Sequence, residues 1–264
     1  MVGYFGTETQ QRLQALAESN ADFIARTPGA CQIGRMMGCD DPERFGWDRI
    51  DAILERDSYL GFRMISPAKA EEIREHLAKR NFRLDLWNVF LADRRSAAAA
   101  CEAIVAAGLP EGLAEARTPT QPEDTMTTAI QALIGRCGIV PFSGSMLVGA
   151  CGPARTVAIA DGTGEIVAAA HGYMPHNASS PYHRHAWGGL AAVSEALRGR
   201  GLGSAVNARM LLRVLHDLGA THVYELASAT NEPSRRMIAA CGLRLEPTLV
   251  CGMAVPDTGA RFTR

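Results

Sequence analysis

Residues 187–203, WGGLAAVSEALRGRGLG, constrain this chain more than any other stretch. The apolar run from Leu190 to Val193 reads as the end of a buried strand, and within a few residues come the alternating glycines Gly199, Gly201 and Gly203. Directly after them Val206, Met210, Leu211, Val214, Leu215 and Leu218 recur at three- and four-residue steps. That spacing places one apolar stripe on a helix that begins in the glycine run and stops before Gly219. The unit is strand, glycine loop, helix. Glycine lets backbone approach a ligand with no Cβ between them, and the first amides of a helix lack internal partners, so the arrangement suits phosphate oxygens. Arg198 and Arg200 add fixed positive charge beside it.

Two kinds of phosphate-binding loop compete for such a unit. A dinucleotide turn needs G-x-G-x-x-G at the first strand-to-helix junction, but counted from Gly199 the sixth position is Ser204, and the loop lies far down the chain. Read instead as R-x-x-G-x-G, with Arg198, Gly201 and Gly203 and with Val193 five residues ahead, the stretch resembles the acyl-CoA pyrophosphate loop of the GNAT N-acetyltransferase superfamily. A second part of that family's pattern follows at the right distance. Asn231-Glu-Pro-Ser234 through Cys241-Gly242-Leu243 resembles the segment in which an Asn opens a short helix ending in a Gly and a large apolar residue, and the strand Thr221 to Leu226 stands between.

The resemblance implies a mixed α/β fold of GNAT type, with a central mixed sheet, over residues 119–264, and acetyl-CoA as co-substrate. It implies that the backbone around Val193 pairs with the pantetheine arm. The amides of Arg198, Gly199, Arg200, Gly201, Leu202, Gly203 and Ser204 would hold the pyrophosphate, and Asn231 and Ser234 would approach the arm from the other side. Asn231, ahead of Glu232-Pro233, is equally a good helix N-cap. Two departures bear on mechanism. Where many family members have a Tyr that protonates the leaving thiolate this chain has Ile238, and where some have a basic Glu on the strand before the loop it has Trp187. Two readings follow: an N-acetyltransferase that transfers acetyl directly to a primary amine of a small molecule or peptide end, or an acyl-CoA-binding regulatory module without chemistry.

Four histidines, His171, His176, His183 and His185, cluster ahead of the loop. No carboxylate or Cys lies at fitting metal spacing, so a metal site is not expected and a solvated loop is. His185, two residues before Trp187 and therefore on the same side of a strand, is the candidate general base, with a pKa in the usual range for His of roughly 6 to 7.

The rest of the chain reads as α/β throughout. Thr7 and Gln10 form a capping box for a first helix, Cys31 to Met37 is a short strand, and Asp41-Pro42 starts a second helix through Leu54. Tyr59 to Ile65, Ala70 to Arg80, Phe82 to Leu91 and Ser96 to Ala107 alternate strand and helix. Residues 108–123, with Pro110, Pro119 and Pro122, suggest a boundary that divides an N-terminal α/β domain, 1–118, from the GNAT domain, 119–264. The first domain is either a degenerate copy of the same fold or an unrelated cap.

Composition narrows the partners. With a net charge of −1 and no long run of either sign, neither nucleic acid nor a membrane surface is expected as a partner, and a homodimer is one assembly open to the chain. The odd set of seven scattered cysteines and the lack of an apolar leader point to a cytoplasmic protein.

Overall fold

The computed structural model describes residues 3–258. Thr7 caps α1 (Glu8–Ser19) through both bonds of the expected capping box, and α2 (Ala21–Arg26) follows after a break at Asn20. The weak alternation at 31–37 is two strands rather than one, β1 (Ala30–Ile33) and β2 (Met36–Cys39), paired antiparallel about Gly34 and Arg35. The second expected helix is divided into α3 (Pro42–Phe45) and α4 (Trp47–Asp57), because Gly46 between them sits at φ 95° and leaves the helical region. Then come β3 (Leu60–Ile65), α5 (Pro67–Ala78), β4 (Phe82–Asp93) and α6 (Arg94–Ala106), with Ser66 and Asp93 as side-chain N-caps. A short β5 (Ala114–Glu115), α7 (Thr125–Arg136) and α8 (Gly144–Val148) lead to the hairpin of β6 (Ala154–Ala160) and β7 (Ile166–Tyr173). The chain closes with β8 (His185–Val193), α9 (Leu202–Asp217), β9 (His222–Ala227), α10 (Glu232–Ala240) and β10 (Arg244–Pro256).

All these strands form one ten-stranded mixed sheet in the order β1-β2-β3-β10-β4-β9-β8-β7-β6-β5. Only β2 with β3 and β8 with β9 run parallel, each pair joined by a helical crossover. The order contains an internal repeat. The β1–β2 pair, the crossover through α3 and α4 to β3, then α5 and β4, match the β7–β8 pair, the crossover through α9 to β9, then α10 and β10. The last strand of each copy is exchanged: β10 lies between β3 and β4, and β4 lies between β10 and β9. The N-terminal half thus repeats the topology of the C-terminal half, and its crossover has no glycine loop. After β2 comes Asp40-Asp41-Pro42, where the Asp41 carboxylate accepts from Arg44 N at 3.1 Å and occupies the helix start that an anion would need.

Strand alternation assigns the two faces of the C-terminal sheet. Ala168 and Ala170 of β7 face the core formed with α9, while Ala169 and Tyr173 face α7 and α8. Two glycines let α9 sit low on the sheet. A Cβ at Gly172 would stand 2.5 Å from Met210 Sδ, and one at Gly188 would stand 2.8 Å from Met210 Cε. Among the described residues no helix is long and apolar enough to cross a membrane.

The sheet crosses the division at 118/119, since each half supplies a strand to the other. Residues 108–123 are mostly exposed and open to protease. A single cut there should leave both fragments in one particle, eluting at the size of the intact chain in native size-exclusion chromatography. Separation into free fragments would contradict the exchange of β4 and β10.

Candidate functional site

The site begins where two parallel strands part. β8 pairs with β9 only at His185↔His222, Ala186↔Val223 and Trp187↔Tyr224. Beyond that point β9 stays with β4 to Ala227, and β8 follows β7 to Val193. A bulge interrupts the β7–β8 ladder between Gly189 and Ala192, and Leu190 within it adopts φ 51°. A side chain held in that left-handed region costs about 1 kcal/mol, a strain that the flanking pairs sustain. Among the described residues no strand covers the β9-facing edge of residues 188–193. Its backbone groups are therefore available to an extended ligand.

The gap opens into a cavity of ≈ 520 Å³. Gly188, Gly189, Leu190 and Ala191 form one wall, and Glu225, Leu226 and the α10 residues Ser234, Met237 and Ile238 form another, with Asn231 at the start of that helix. The N-terminal half closes the remaining side with Arg35, Met36, Arg63 and Trp87. From the sequence the first half is expected to supply one wall of the acceptor pocket, and residues of both halves do line this cavity.

Of the expected cofactor residues, Asn231 and Ser234 line this cavity, while Val193 and residues 198–204 lie outside its lining and adjoin it through Gly203. Gly199 and Gly201 lie at φ 78° and 76°, and a Cβ on either would meet nothing within 4 Å. Gly201 is the N-cap of α9 and has no side chain to cap with, so the amides of Leu202, Gly203 and Ser204 lack intrahelical partners. A Cβ at Gly203 would stand 3.6 Å from Met237 Sδ and 3.8 Å from Val193 Cγ2, which sets the loop against the cavity wall. Arg198 and Arg200 are exposed, and Arg198 Nε donates to Val193 O at 3.4 Å. Asn231 accepts from Ser234 N at 3.2 Å, so it does serve as an N-cap, and both residues line the cavity. The unfilled helix start, the Cβ-free loop and the uncovered strand edge together fit a pyrophosphate followed by an extended arm.

The structure places the expected base away from the cavity and a carboxylate within it. His185 does not line the cavity: its ring stacks on His222 at 4.4 Å and an interplanar angle of 6°, at the still-paired end of β8. Burial, reinforced by His222, His176 and His183, lowers its pKa to about 4. The expected base thus stands outside the cavity lining, with its pKa held below the neutral range. Nor is the preceding loop simply solvated. The His176 side chain is fully buried, with Nδ1 2.6 Å from Asp40 Oδ2 and Nε2 3.2 Å from the Tyr224 hydroxyl. Cys31, Asp40 and His176 bring their ligating atoms within 4.8 Å of one another, but both ring nitrogens are engaged in this network. Ile238 does line the cavity, with no proton to give.

Glu225 is the carboxylate in the lining. It is 2% exposed on β9, accepts from Asn207 Nδ2 at 2.7 Å, and its pKa is pushed up to about 7 by burial, against the lowering effect of that bond. Its Oε1 would lie 3.1 Å from a Cβ on Gly188, so the glycine makes room for the carboxylate beside Met210 and Leu211. A lone Glu among the apolar residues of VYELA is the sequence signal that could have marked it.

Comparison with known proteins fits this geometry. Residues 131–243 match the model of the acetyltransferase (GNAT) family. Those residues form a GNAT acetyltransferase domain, on the C-terminal side where the sequence resemblance puts it. A GCN5-related N-acetyltransferase from Kribbella flavida superposes with a TM-score of 0.59 at 14% identity, covering 96% of this chain and 98% of that one. A tandem GNAT protein from the clavulanic acid biosynthesis pathway gives a TM-score of 0.54 at 13% identity, covering 93% and 89%. A Drosophila protein gives 0.58 at 15%, covering 95% and 90%. These likenesses extend the GNAT fold over both halves. No curated protein matches the sequence.

Two substitutions test the site. Gly203→Ala has room in the protein and should leave thermal stability unchanged or slightly raised, while weakening acetyl-CoA at least tenfold by calorimetry, because the new Cβ would stand beside the amides that meet phosphate. Equal affinity would remove the loop from the site. Glu225 has a folded-state pKa above its ordinary 4.5, so its contribution to stability is full below pH 4.5 and is lost as pH rises through about 7. Glu225→Gln should therefore match the wild type near pH 4 and exceed it at pH 8, by an amount on the order of 3 kcal/mol in denaturant titrations. A variant less stable at pH 8 would show that the carboxylate is not held against burial.

Proposed function

We propose that this protein is an acetyl-CoA-dependent N-acetyltransferase that acts on a primary amine of a small molecule or peptide end, by direct transfer in a ternary complex. The observation that carries this reading is that the uncapped start of α9, the uncovered edge of β8 and Glu225 all adjoin or line one cavity. Acetyl-CoA supplies a thioester whose carbonyl carbon takes the amine lone pair as the C–S bond breaks, leaving an N-acetyl amide and CoA. The amides of Leu202, Gly203 and Ser204, with Arg198 and Arg200, hold the pyrophosphate. The edge from Gly188 to Val193 pairs with the arm and fixes the reacting carbon, which supplies much of the rate through orientation alone. Asn231 and Ser234 close the arm from α10. The Glu225 carboxylate takes the proton that the amine loses and returns it to the departing sulfur, a role for which a pKa of about 7 is suited. Ile238 and Trp187 leave the Tyr and Glu positions of other family members without proton chemistry, and Glu225 fills that need from the neighbouring strand.

Ile238 and Trp187 also support the second reading, an acyl-CoA-binding module without catalysis. Thermal shift with acetyl-CoA, CoA, NAD and NADP, followed by thiol release over a broad panel of primary amines, separates the two. Stabilisation by CoA species with thiol release is expected; stabilisation without release from any amine would favour the module. In the active enzyme kcat/KM should rise through a pKa near 7. Glu225→Gln should remove that limb and lower kcat by about 10²- to 10⁴-fold, with acetyl-CoA affinity kept within about twofold. A limb that stays in place in the variant would take Glu225 out of the mechanism.

A further inference from the structure

Two guanidinium groups line the acceptor side of the cavity, and among the described residues neither forms an ion pair. Arg63, on β3, is 8% exposed, and its Nε has no hydrogen-bond partner. The groups that surround its charge are Cys251, Tyr173, Tyr224 and Cys31, all neutral at pH 7; Tyr173 and Cys251 share side-chain hydrogen bonds with the guanidinium, and none of the four brings a countercharge. Asp40, the carboxylate of the adjoining network, is engaged through Oδ2 by His176 Nδ1 and by Ser180 Oγ, both at 2.6 Å. Arg35, at the turn between β1 and β2, lies over the Phe142 ring at 5.0 Å and donates to Val140 O, and its Nε is likewise buried without a partner. Burial lowers its pKa only to about 10, so it stays charged.

A buried cation without an anion is costly to keep, and its unmet donors add to that cost. The phosphates of an acyl-CoA already have their own place, at the start of α9. Both arginines come instead from the N-terminal copy, on the side left for the acceptor. A guanidinium's planar fork matches a carboxylate with paired N–H donors, and the Nε of each of these two is buried without a partner. A phosphate dianion fits less well, because Glu225 in the same lining offsets part of the positive charge. The volume of ≈ 520 Å³ is shared with the reacting end of the cofactor, which keeps the acceptor small.

We propose that the acceptor is a small amine that carries a carboxylate, an amino acid in the broad sense, whose acid group pairs with Arg63 and Arg35 while its amino group turns to Glu225. This rests on the N-acetyltransferase reading above and names its substrate class.

The experiment measures thiol release from acetyl-CoA with the protein amino acids, β-alanine and 4-aminobutyrate, each set against its carboxamide or its decarboxylated amine. One or more carboxylates should exceed their partners in kcat/KM by at least about 100-fold, because the uncharged analogue leaves the guanidinium donors unpaired. In Arg63→Met, and separately in Arg35→Met, that ratio should fall below about tenfold. Calorimetric binding of the preferred amino acid to protein saturated with CoA should be lost in the same variants. The wild-type comparison does not depend on either variant folding. Equal or better turnover of the amides and amines, or turnover of ethanolamine phosphate with refusal of the carboxylates, would overturn this inference and leave the transferase reading standing. No release from any amine would remove both.

Discussion

The site depends on the parting of β8 from β9 after Trp187 and Tyr224. Two parallel strands in mid-sheet ordinarily satisfy one another's backbone along their whole length, and leaving one edge bare is tolerable only where a partner from outside can supply the missing bonds. Here the separation is enforced from both sides. The bulge at Leu190 tips β8 away, and β9 is held by its antiparallel pairing with β4, a strand of the other half. Gly172 and Gly188 then bring α9 down onto the opened sheet. The uncapped start of that helix thereby lies beside the same gap.

The exchange of β4 and β10 explains why a degenerate copy is kept. Without it, β9 would lack the neighbour that holds it apart from β8, and the cavity would lack the wall that carries Arg35, Arg63 and Trp87. At the corresponding place the first copy has Asp40-Asp41-Pro42 and no glycine loop. Asp40 now belongs to a buried network with His176, Ser180 and Tyr224 that ties the loop after β7 to the N-terminal half. Asn177 adds to that tie by donating to the carbonyls of Ile24, Thr27 and Ala30.

Much of the fold was legible in the sequence because its signals are local. The glycine loop and the apolar stripe of α9 and the capping box of α1 each rest on residues within a few positions of one another, and each stands where the pattern puts it. What could not be read depends on partners far apart in the chain. The insertion of β10 between β3 and β4 leaves no mark in either strand's periodicity. Alternation placed His185 on the side of Trp187, but could not reveal that His222 would stack on it and that the gap opens only beyond that pair. Glu225 escaped notice because the pattern sought a carboxylate on β8, whereas the pocket draws it from β9, where Asn207 and Gly188 make a place for it.

Amide hydrogen exchange reads the central claim directly, since it reports on the backbone groups left without partners. Acetyl-CoA should slow exchange in two segments together, the edge from Gly188 to Val193 and the helix start from Leu202 to Ser204, while β6 and the start of β7 stay unchanged. Protection confined to other segments, or none in these two at saturating acetyl-CoA, would contradict the account of a cofactor held between an uncovered strand and an uncapped helix.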